Sequence, residues 1–409
     1  MEKRIELCDE ELCCGCGACA NICSRGCIQM IENAEGFLIP QIDNEKCVKC
    51  GVCVQHCPIG RSKKNENTYE KKCFGAISKS DADRFKSSSG GVFKQLASQW
   101  LNDGGTVFGV RMSDDLSSAI FQEVTDESGL DDILGSKYIQ ANTEFVYKRV
   151  EELLQSGGKV LFSGVPCQIN ALKAFLGKEY SNLLCVDVIC HGVPSPAVWR
   201  KYLATLREKY CSVKGVCFRY KKYGWENFGL NVKLQNKKVK YESKDINPYM
   251  QLFLNDICLR KSCYKCQFKG YERSSDITIG DFWGSEDYVP QLTDGKGTSI
   301  VLIHSHEGMC IWSKIEYALL FQEVDYQEVF KEHNRAMMES PKMPDNREAF
   351  FEDLKILPFK RLQSKYITLS KKEKTKFFLE KCGVLYTIRR LRKRGGGNEY
   401  GIAIIFDRN

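Results

Sequence analysis

The sequence predicts an α+β protein, in which a small cysteine-rich N-terminal domain precedes a larger mixed α/β domain. Twelve of the 22 cysteines lie before residue 74. At 409 residues the chain is far too long for that region alone, so one or two further domains must follow. From residue 73 onward, helix-like and strand-like apolar periodicities alternate, which indicates a partly parallel sheet with covering helices.

The N-terminal cysteines form two runs with the spacing C-x2-C-x2-C-x3-C. In such runs the first three thiolates bind one 4Fe-4S cluster and the fourth ligates the other cluster. Residues 1–60 are therefore predicted to form a two-cluster ferredoxin-like domain. We call the two predicted ligand groups the first set and the second set. The first set is Cys13, Cys16, Cys19 and Cys57, and the second set is Cys47, Cys50, Cys53 and Cys23.

Structural zinc and disulfides are the alternative interpretations of repeated C-x-x-C. Tetrahedral zinc uses two cysteine pairs and has no use for a third cysteine at the same spacing. The charged N-terminus does not resemble a signal peptide, and no apolar run approaches membrane-spanning length. We therefore expect a cytoplasmic protein, whose thiols stay reduced.

Beyond the first domain, the pattern divides the chain into four parts. A polar linker is predicted at 61–72, followed by the two halves of the main unit at 73–212 and 213–354. Helices are expected at 92–101 and 168–176, and strands at TVFGVRM, KVLFSG and 183–189. The second half begins with an antiparallel portion, with a hairpin turn expected at 235–238.

The last part, 355–409, is basic and predicted to be helical. Residues 355–394 contain fourteen Lys and Arg against two Glu, and apolar residues between 377 and 391 fit an amphipathic helix. Three interpretations stay open: a solvated helix face, docking to an anionic membrane surface, or docking to an acidic protein partner. Nucleic acid is not expected, because exposed aromatics do not alternate with the basic residues.

Three further features suggest chemistry. The run Ser88, Ser89, Gly90, Gly91 precedes a helix, where it predicts either an anion site or an ordinary serine N-cap. Asp281 ends a strand before two aromatics and suggests a planar ligand or simple packing. Four later cysteines, here the third set, suggest a third 4Fe-4S cluster or buried free thiols. The third set is Cys167, Cys190, Cys263 and Cys266.

Neither a dinucleotide-binding G-x-G-x-x-G after a strand nor a P-loop is present. The segments SSSGGVF, GSKYIQ, FSGVPCQINALK, CHGVPSPAVW, SCYKCQFK and SDITIGDFWG, taken together, resemble the coenzyme F420 hydrogenase/dehydrogenase beta-subunit family. That family also includes plant 7-hydroxymethyl chlorophyll a reductase. The resemblance covers about residues 10 to 350.

The resemblance implies a flavin-binding main domain that holds FAD beside a 4Fe-4S cluster. It implies cluster ligation by the third set and flavin contacts near 88–91 and 135–138, including Ser136 and Lys137. The fused ferredoxin part looks like a bacterial branch associated with surface-polysaccharide gene sets.

Two functions therefore remain as hypotheses. One is an FAD-dependent oxidoreductase that acts on a small organic substrate or a deazaflavin such as coenzyme F420, with electrons from reduced ferredoxin or a deazaflavin. The other is an electron-transfer adaptor that supplies a partner oxidoreductase.

Overall fold

The computed structural model describes residues 7–60, 69–236 and 238–368, together with residues 375, 378 and 379. Most of the predicted linker and of the predicted basic helix lies outside these residues. The described α-helices are α1 (Ala18–Ile22), α2 (Val52–Gln55), α3 (Asp81–Lys86), α4 (Val92–Asn102), α5 (Leu130–Ile133), α6 (Val146–Gln155), α7 (Pro166–Leu176), α8 (Pro196–Tyr210), α9 (Pro248–Leu254), α10 (Ser285–Tyr288), α11 (His306–Ile315), α12 (Tyr326–Glu332), α13 (Arg347–Ile356) and α14 (Phe359–Tyr366).

The strands confirm the predicted mixed α/β character. They are β1 (Ile28–Glu32), β2 (Leu38–Ile42), β3 (Lys72–Ser78), β4 (Thr106–Met112), β5 (Ala119–Val124), β6 (Ala141–Asn142), β7 (Val160–Gly164), β8 (Leu183–Val188), β9 (Val213–Tyr220), β10 (Gly229–Leu234), β11 (Val239–Ser243), β12 (Ile277–Asp281), β13 (Ser299–Ile303) and β14 (Leu319–Glu323).

A nine-stranded sheet, ordered β14-β3-β13-β12-β8-β7-β4-β5-β6, forms the centre of the main unit. Its middle strands β12, β8, β7 and β4 are parallel neighbours, whereas β14, β3 and β13 pair antiparallel. The carboxyl ends of β7, β8 and β12 therefore lie on one edge of the sheet, where α/β proteins bind their ligands. A separate antiparallel sheet, β11-β10-β9, follows in the second half.

The N-terminal domain consists of the β1–β2 hairpin and two short helices, each of which begins inside a cysteine run. Gly17 precedes α1 with φ 75°. A Cβ at this position would lie 2.4 Å from the Thr143 hydroxyl of the main unit. Glycine is therefore required both by the left-handed backbone and by the close approach of the two domains.

The two domains are joined by shared apolar packing and by a buried ion pair. Phe37, after β1, is buried in the same apolar cluster as Trp199 and Tyr249 of the main unit. Arg347, at the start of α13, donates to both Glu35 carboxylate oxygens at 2.8 and 2.5 Å. Its side chain is fully buried. The C-terminal part of the chain is thus bonded directly to the N-terminal hairpin.

Helix α14 lies within the segment that the sequence pattern separates as 355–409. Its residues Phe359, Leu362 and Tyr366 are buried in the core that contains Trp199. The described start of that segment is therefore packed against the main unit. No helix among the described residues is both long and apolar enough to span a membrane.

We expect the substitution Arg347→Met to lower the free energy of unfolding by about 3–5 kcal/mol, because it leaves the Glu35 carboxylate without its buried partner. Urea denaturation of the anaerobic protein measures this loss. The matched control is Arg149→Met, which breaks an exposed pair with Glu123 and should cost at most about 1 kcal/mol. Equal losses in the two variants would contradict a structural role for the buried pair.

Candidate iron-sulfur and flavin site

A cavity of about 720 Å³ lies at the carboxyl edge of the central sheet; we call it the main cavity. This size is within the range of small-molecule and cofactor sites. Its lining includes residues from both sheets, such as Asp281 of β12 and Arg219 of β9. Of the predicted flavin contacts, the lining contains Ser88, Ser89, Gly91, Ser136, Lys137 and Asp281.

The serine-glycine loop forms one wall of the main cavity. The Ser136 amide donates to the Ser88 hydroxyl at 2.7 Å, so two separate loops are joined there. Gly91 is the N-cap of α4 and the helix has no side-chain cap, so the serines do not act as the N-cap that was the alternative. Gly90 is not among the lining residues, and its amide is already used in a hydrogen bond to the Ser299 hydroxyl at 2.9 Å. The uncapped start of α4 suits an anionic group.

Lys137 contributes a side chain that is cationic only when its amine is protonated, and burial makes that protonation less favourable. Its ammonium donates to the carbonyls of Asp132 and Leu134 at 2.9 and 2.8 Å. Burial lowers the pKa of Lys137 to about 7. The lysine can therefore gain or lose its charge near neutral pH.

Asp281 lines the cavity with its carboxylate already bonded. Arg219 and the Trp225 indole donate to Asp281 Oδ1 at 2.9 and 3.0 Å. The Arg219 guanidinium lies 3.8 Å from the centroid of the Phe228 ring, and Trp283 stacks on Trp225 at 4.4 Å. These contacts make a rigid, partly aromatic wall that fits a planar ligand.

The third set comes together beside the main cavity. Cys167 lies in the first turn of α7 after β7, and Cys190 follows β8 by two residues. Cys263 and Cys266 lie in and directly after the 3-10 helix Lys261–Lys265. All four line a smaller cavity of about 40 Å³, here called the thiol cavity. Cys167 and Cys190 also line the main cavity.

Burial favours the protonated form of the Cys190 and Cys263 thiols. It raises the pKa of Cys190 to about 11 and that of Cys263 to about 12, with neighbouring thiols contributing to the shift. A bound iron centre reverses this preference, because its charge stabilises the thiolate form. The donor chemistry fits a 4Fe-4S cluster, since soft thiolates are the ligands that such clusters use.

Positive side chains surround the thiol cavity. Arg260 is buried and donates from Nε to the Cys13 carbonyl at 2.7 Å. Its Nη1 is buried with no hydrogen-bond partner among the described residues, and Arg260 lines the thiol cavity. Lys269 donates to the Cys190 carbonyl at 2.5 Å. An anionic occupant would satisfy the unpaired guanidinium group and balance these charges.

The first set surrounds another small cavity, lined by Cys13, Cys16, Cys19 and Cys57 together. Cys57 comes from the second run, as the exchange of fourth ligands predicts. In the second set, burial raises the pKa of Cys53, and the nearby thiols of Cys50 and Cys23 raise it further. Cys23 of the first run therefore lies near the cysteines of the second run, as the exchange of fourth ligands predicts. Among the described residues, no three His, Cys, Asp or Glu side chains are arranged to hold a single metal ion.

Several residues at the site were not predicted. Cys14 lines all three cavities, and Cys8 lines the cavity of the first set. The sulfur atoms of Cys27 and Cys23 are 3.3 Å apart. The only signal in the sequence is the adjacency of Cys14 to Cys13. His191, next to Cys190 in the sequence, is bonded through Nε2 to the Asp256 carboxylate and also lines the main cavity.

Comparison with known proteins gives two family matches. Residues 157–328 match the family described as the C terminus of the coenzyme F420 hydrogenase/dehydrogenase beta subunit. Residues 12–61 match the 4Fe-4S dicluster domain. No curated protein matches the chain.

Among solved structures, the chain is similar to one in the xenon-derivatised F420-reducing NiFe hydrogenase complex from Methanosarcina barkeri. The identity is 19% and the TM-score 0.42, with 71% of this chain and 89% of that chain covered. The two family matches confirm the resemblance that the motifs predicted. The chain is thus an iron-sulfur electron-transfer protein that is related to the coenzyme F420 hydrogenase/dehydrogenase beta subunits and carries an N-terminal 4Fe-4S dicluster domain.

Proposed function

We propose that this protein is an FAD-dependent iron-sulfur oxidoreductase with three 4Fe-4S clusters. The observation that carries the proposal is the shared position of Cys167 and Cys190, which line both the thiol cavity and the main cavity. A cluster held by the third set would therefore border the ligand of the main cavity directly. Cys14 lines the same two cavities and the cavity of the first set, which connects the N-terminal domain to this site.

The residues of the main cavity fit FAD. The loop of Ser88 and Gly91 at the start of α4 would bind the pyrophosphate through backbone amides. Trp283 and the aromatic wall would pack against planar rings, and Lys137 would supply a cation. When bound, a flavin exchanges single electrons with clusters and hydride equivalents with organic substrates. The side chains that line the main cavity would orient it and exclude water.

Electrons would enter through the second set. Cys50 is exposed, in contrast to buried Cys53 of the same run. Val48 and Val54, close to this ligand in the chain, are 60% and 44% exposed, and exposed Lys49 lies directly before Cys50, so the surface near this ligand is both apolar and basic. Such a surface fits a protein donor, for which reduced ferredoxin is the proposed class.

The substrate in this proposal is a small organic molecule or a deazaflavin such as coenzyme F420. Surface-polysaccharide biosynthesis, the context that the resemblance implies, is the proposed source of the small molecule. The alternative function is an electron-transfer adaptor whose partner oxidoreductase performs the chemistry. The exposed apolar residues around Cys50 favour this alternative as much as the first function, because either one needs a docked partner. Turnover of a small substrate by the isolated protein separates the two.

The cofactor content of anaerobically purified protein tests the proposal. We expect about twelve irons, about twelve sulfides and one FAD per chain. Replacing Cys263 and Cys266 with Ser should remove about four irons, because a serine oxygen is a poor substitute for a soft thiolate. The flavin should stay bound, yet dithionite-reduced N-terminal clusters should no longer reduce it quickly. Wild-type protein with eight irons and no flavin would leave only the adaptor.

Arg260 should set the reduction potentials of the two clusters that it faces. Arg260→Gln removes a buried positive charge between the first and third sets, so the reduced, more negative clusters lose stabilisation. We expect both midpoint potentials to fall by at least about 59 mV, a tenfold change for a one-electron couple. Redox titration followed by EPR measures them. The cluster of the second set is the internal control, and Arg200→Gln, which removes a surface charge paired with Glu32, is the control variant.

Lys137 should tune the flavin in a pH-dependent way. Lys137→Met removes a cation from the cavity wall, so the midpoint potential of bound FAD should fall relative to wild type below pH 7. Because the pKa of Lys137 is about 7, the wild-type lysine loses its charge as the pH rises, and the difference should shrink above that pH. Spectroelectrochemistry from pH 6 to about 9 checks this trend. A constant difference over that range would contradict the lowered pKa.

A further inference from the structure

Each of the three thiol sets has a fifth cysteine beside it that no ligand motif includes. These are Cys8 at the first set, Cys27 at the second set and Cys14 at the third set. All three are free cysteines, so none is bonded in a disulfide. A structural role alone does not explain why the chain repeats this arrangement at every predicted cluster.

Cys27 has the most direct geometry. Its sulfur lies 3.3 Å from that of Cys23, and its side chain is only 4% exposed. Burial, together with the neighbouring thiols of Cys23 and Cys47, raises the pKa of Cys27 to about 12. The Asp43 amide donates to the Cys27 carbonyl at 2.8 Å, which fixes the backbone where β1 begins. A fixed, buried thiol therefore lies beside two ligands of one set.

The other two thiols occupy equivalent positions. Cys8 lines the cavity of the first set, and its thiol interacts with those of Cys13 and Cys57. Cys14 lines the thiol cavity, and its thiol interacts with those of Cys16 and Cys167. Each fifth cysteine thus contacts at least two thiols, including one or more ligands of its own set.

We propose that Cys8, Cys14 and Cys27 are reserve ligands, each able to replace a neighbouring cysteine of its cluster. In the exchange, the bond from the iron to the original sulfur breaks, the reserve thiol passes its proton to the displaced thiolate, and the reserve thiolate bonds the same iron. The oxidation state of the cluster does not change. Proximity decides which ligand is replaced, since the thiolate must reach the iron without rebuilding the backbone. The roles of Cys8 and Cys27 need only the dicluster domain, whereas that of Cys14 rests on the proposed third cluster.

Alanine variants of the full-length protein, purified anaerobically, test the proposal at the second set. Cys23→Ala and Cys27→Ala should each keep the wild-type iron and sulfide content, because four thiolates remain. The double variant should lose about four irons. Cys50→Ala is the matched control, because it removes a ligand that Cys27 does not contact, and it should also lose about four irons. EPR of the reduced Cys23→Ala protein should show a shifted signal from an intact cluster.

Loss of about four irons in Cys23→Ala alone would overturn the proposal for this set. If that variant does not accumulate in folded form, Cys13→Ala with and without Cys8→Ala gives the same comparison at the first set, with Cys19→Ala as control. Equal iron loss in Cys13→Ala and Cys19→Ala would reject reserve ligation there. A wild-type content of eight irons would instead remove the third cluster and the role of Cys14, and would leave both other comparisons valid.

Discussion

The arrangement of the site depends on hydrogen bonds from side chains of the main unit to the backbone of the first cysteine run. Thr143 and Tyr147 donate to the Cys16 carbonyl at 3.0 and 2.9 Å, and Arg260 donates to that of Cys13 at 2.7 Å. These carbonyls belong to predicted cluster ligands, so the bonds fix the first set without using its sulfur atoms. Electron transfer between two clusters requires a short and constant separation, which these bonds would maintain.

The same contacts explain why buried charge is tolerated here. Arg260 donates from Nε to the Cys13 carbonyl, and its buried Nη1 has no hydrogen-bond partner among the described residues. A buried cation of this kind is costly unless an anion faces it. Two anionic clusters would face it, and each cluster would in turn be stabilised by the guanidinium. The clusters that the converging thiols would bind therefore also explain why Arg260 is buried.

The sequence predicts those parts of the site that local spacing determines. The two cysteine runs, the α4 start after the glycines, the position of Cys167 between a strand and a helix and that of Asp281 at a strand end all follow from periodicity and motif spacing. Cys8, Cys14 and Cys27 were not predicted, because the ligand spacing does not include them and because Cys8 and Cys14 reach Cys57 and Cys167 from distant parts of the chain. The orientation of Gly90 could not be predicted from the sequence either, because it depends on the hydrogen bond to Ser299 of a distant strand.

Sheet topology accounts for the remaining order of the site. β12, β8 and β7 are parallel neighbours, so the loops that follow them must leave from the same edge. Cys167 and Cys190 are consequently adjacent although they are separated in sequence by a helix and a strand. Asp281, at the end of β12, lies on the same edge but has its charge neutralised by Arg219. One edge thus places the thiols of Cys167 and Cys190 beside the paired charges of Asp281 and Arg219, and Lys137, with a pKa of about 7, lines the same cavity.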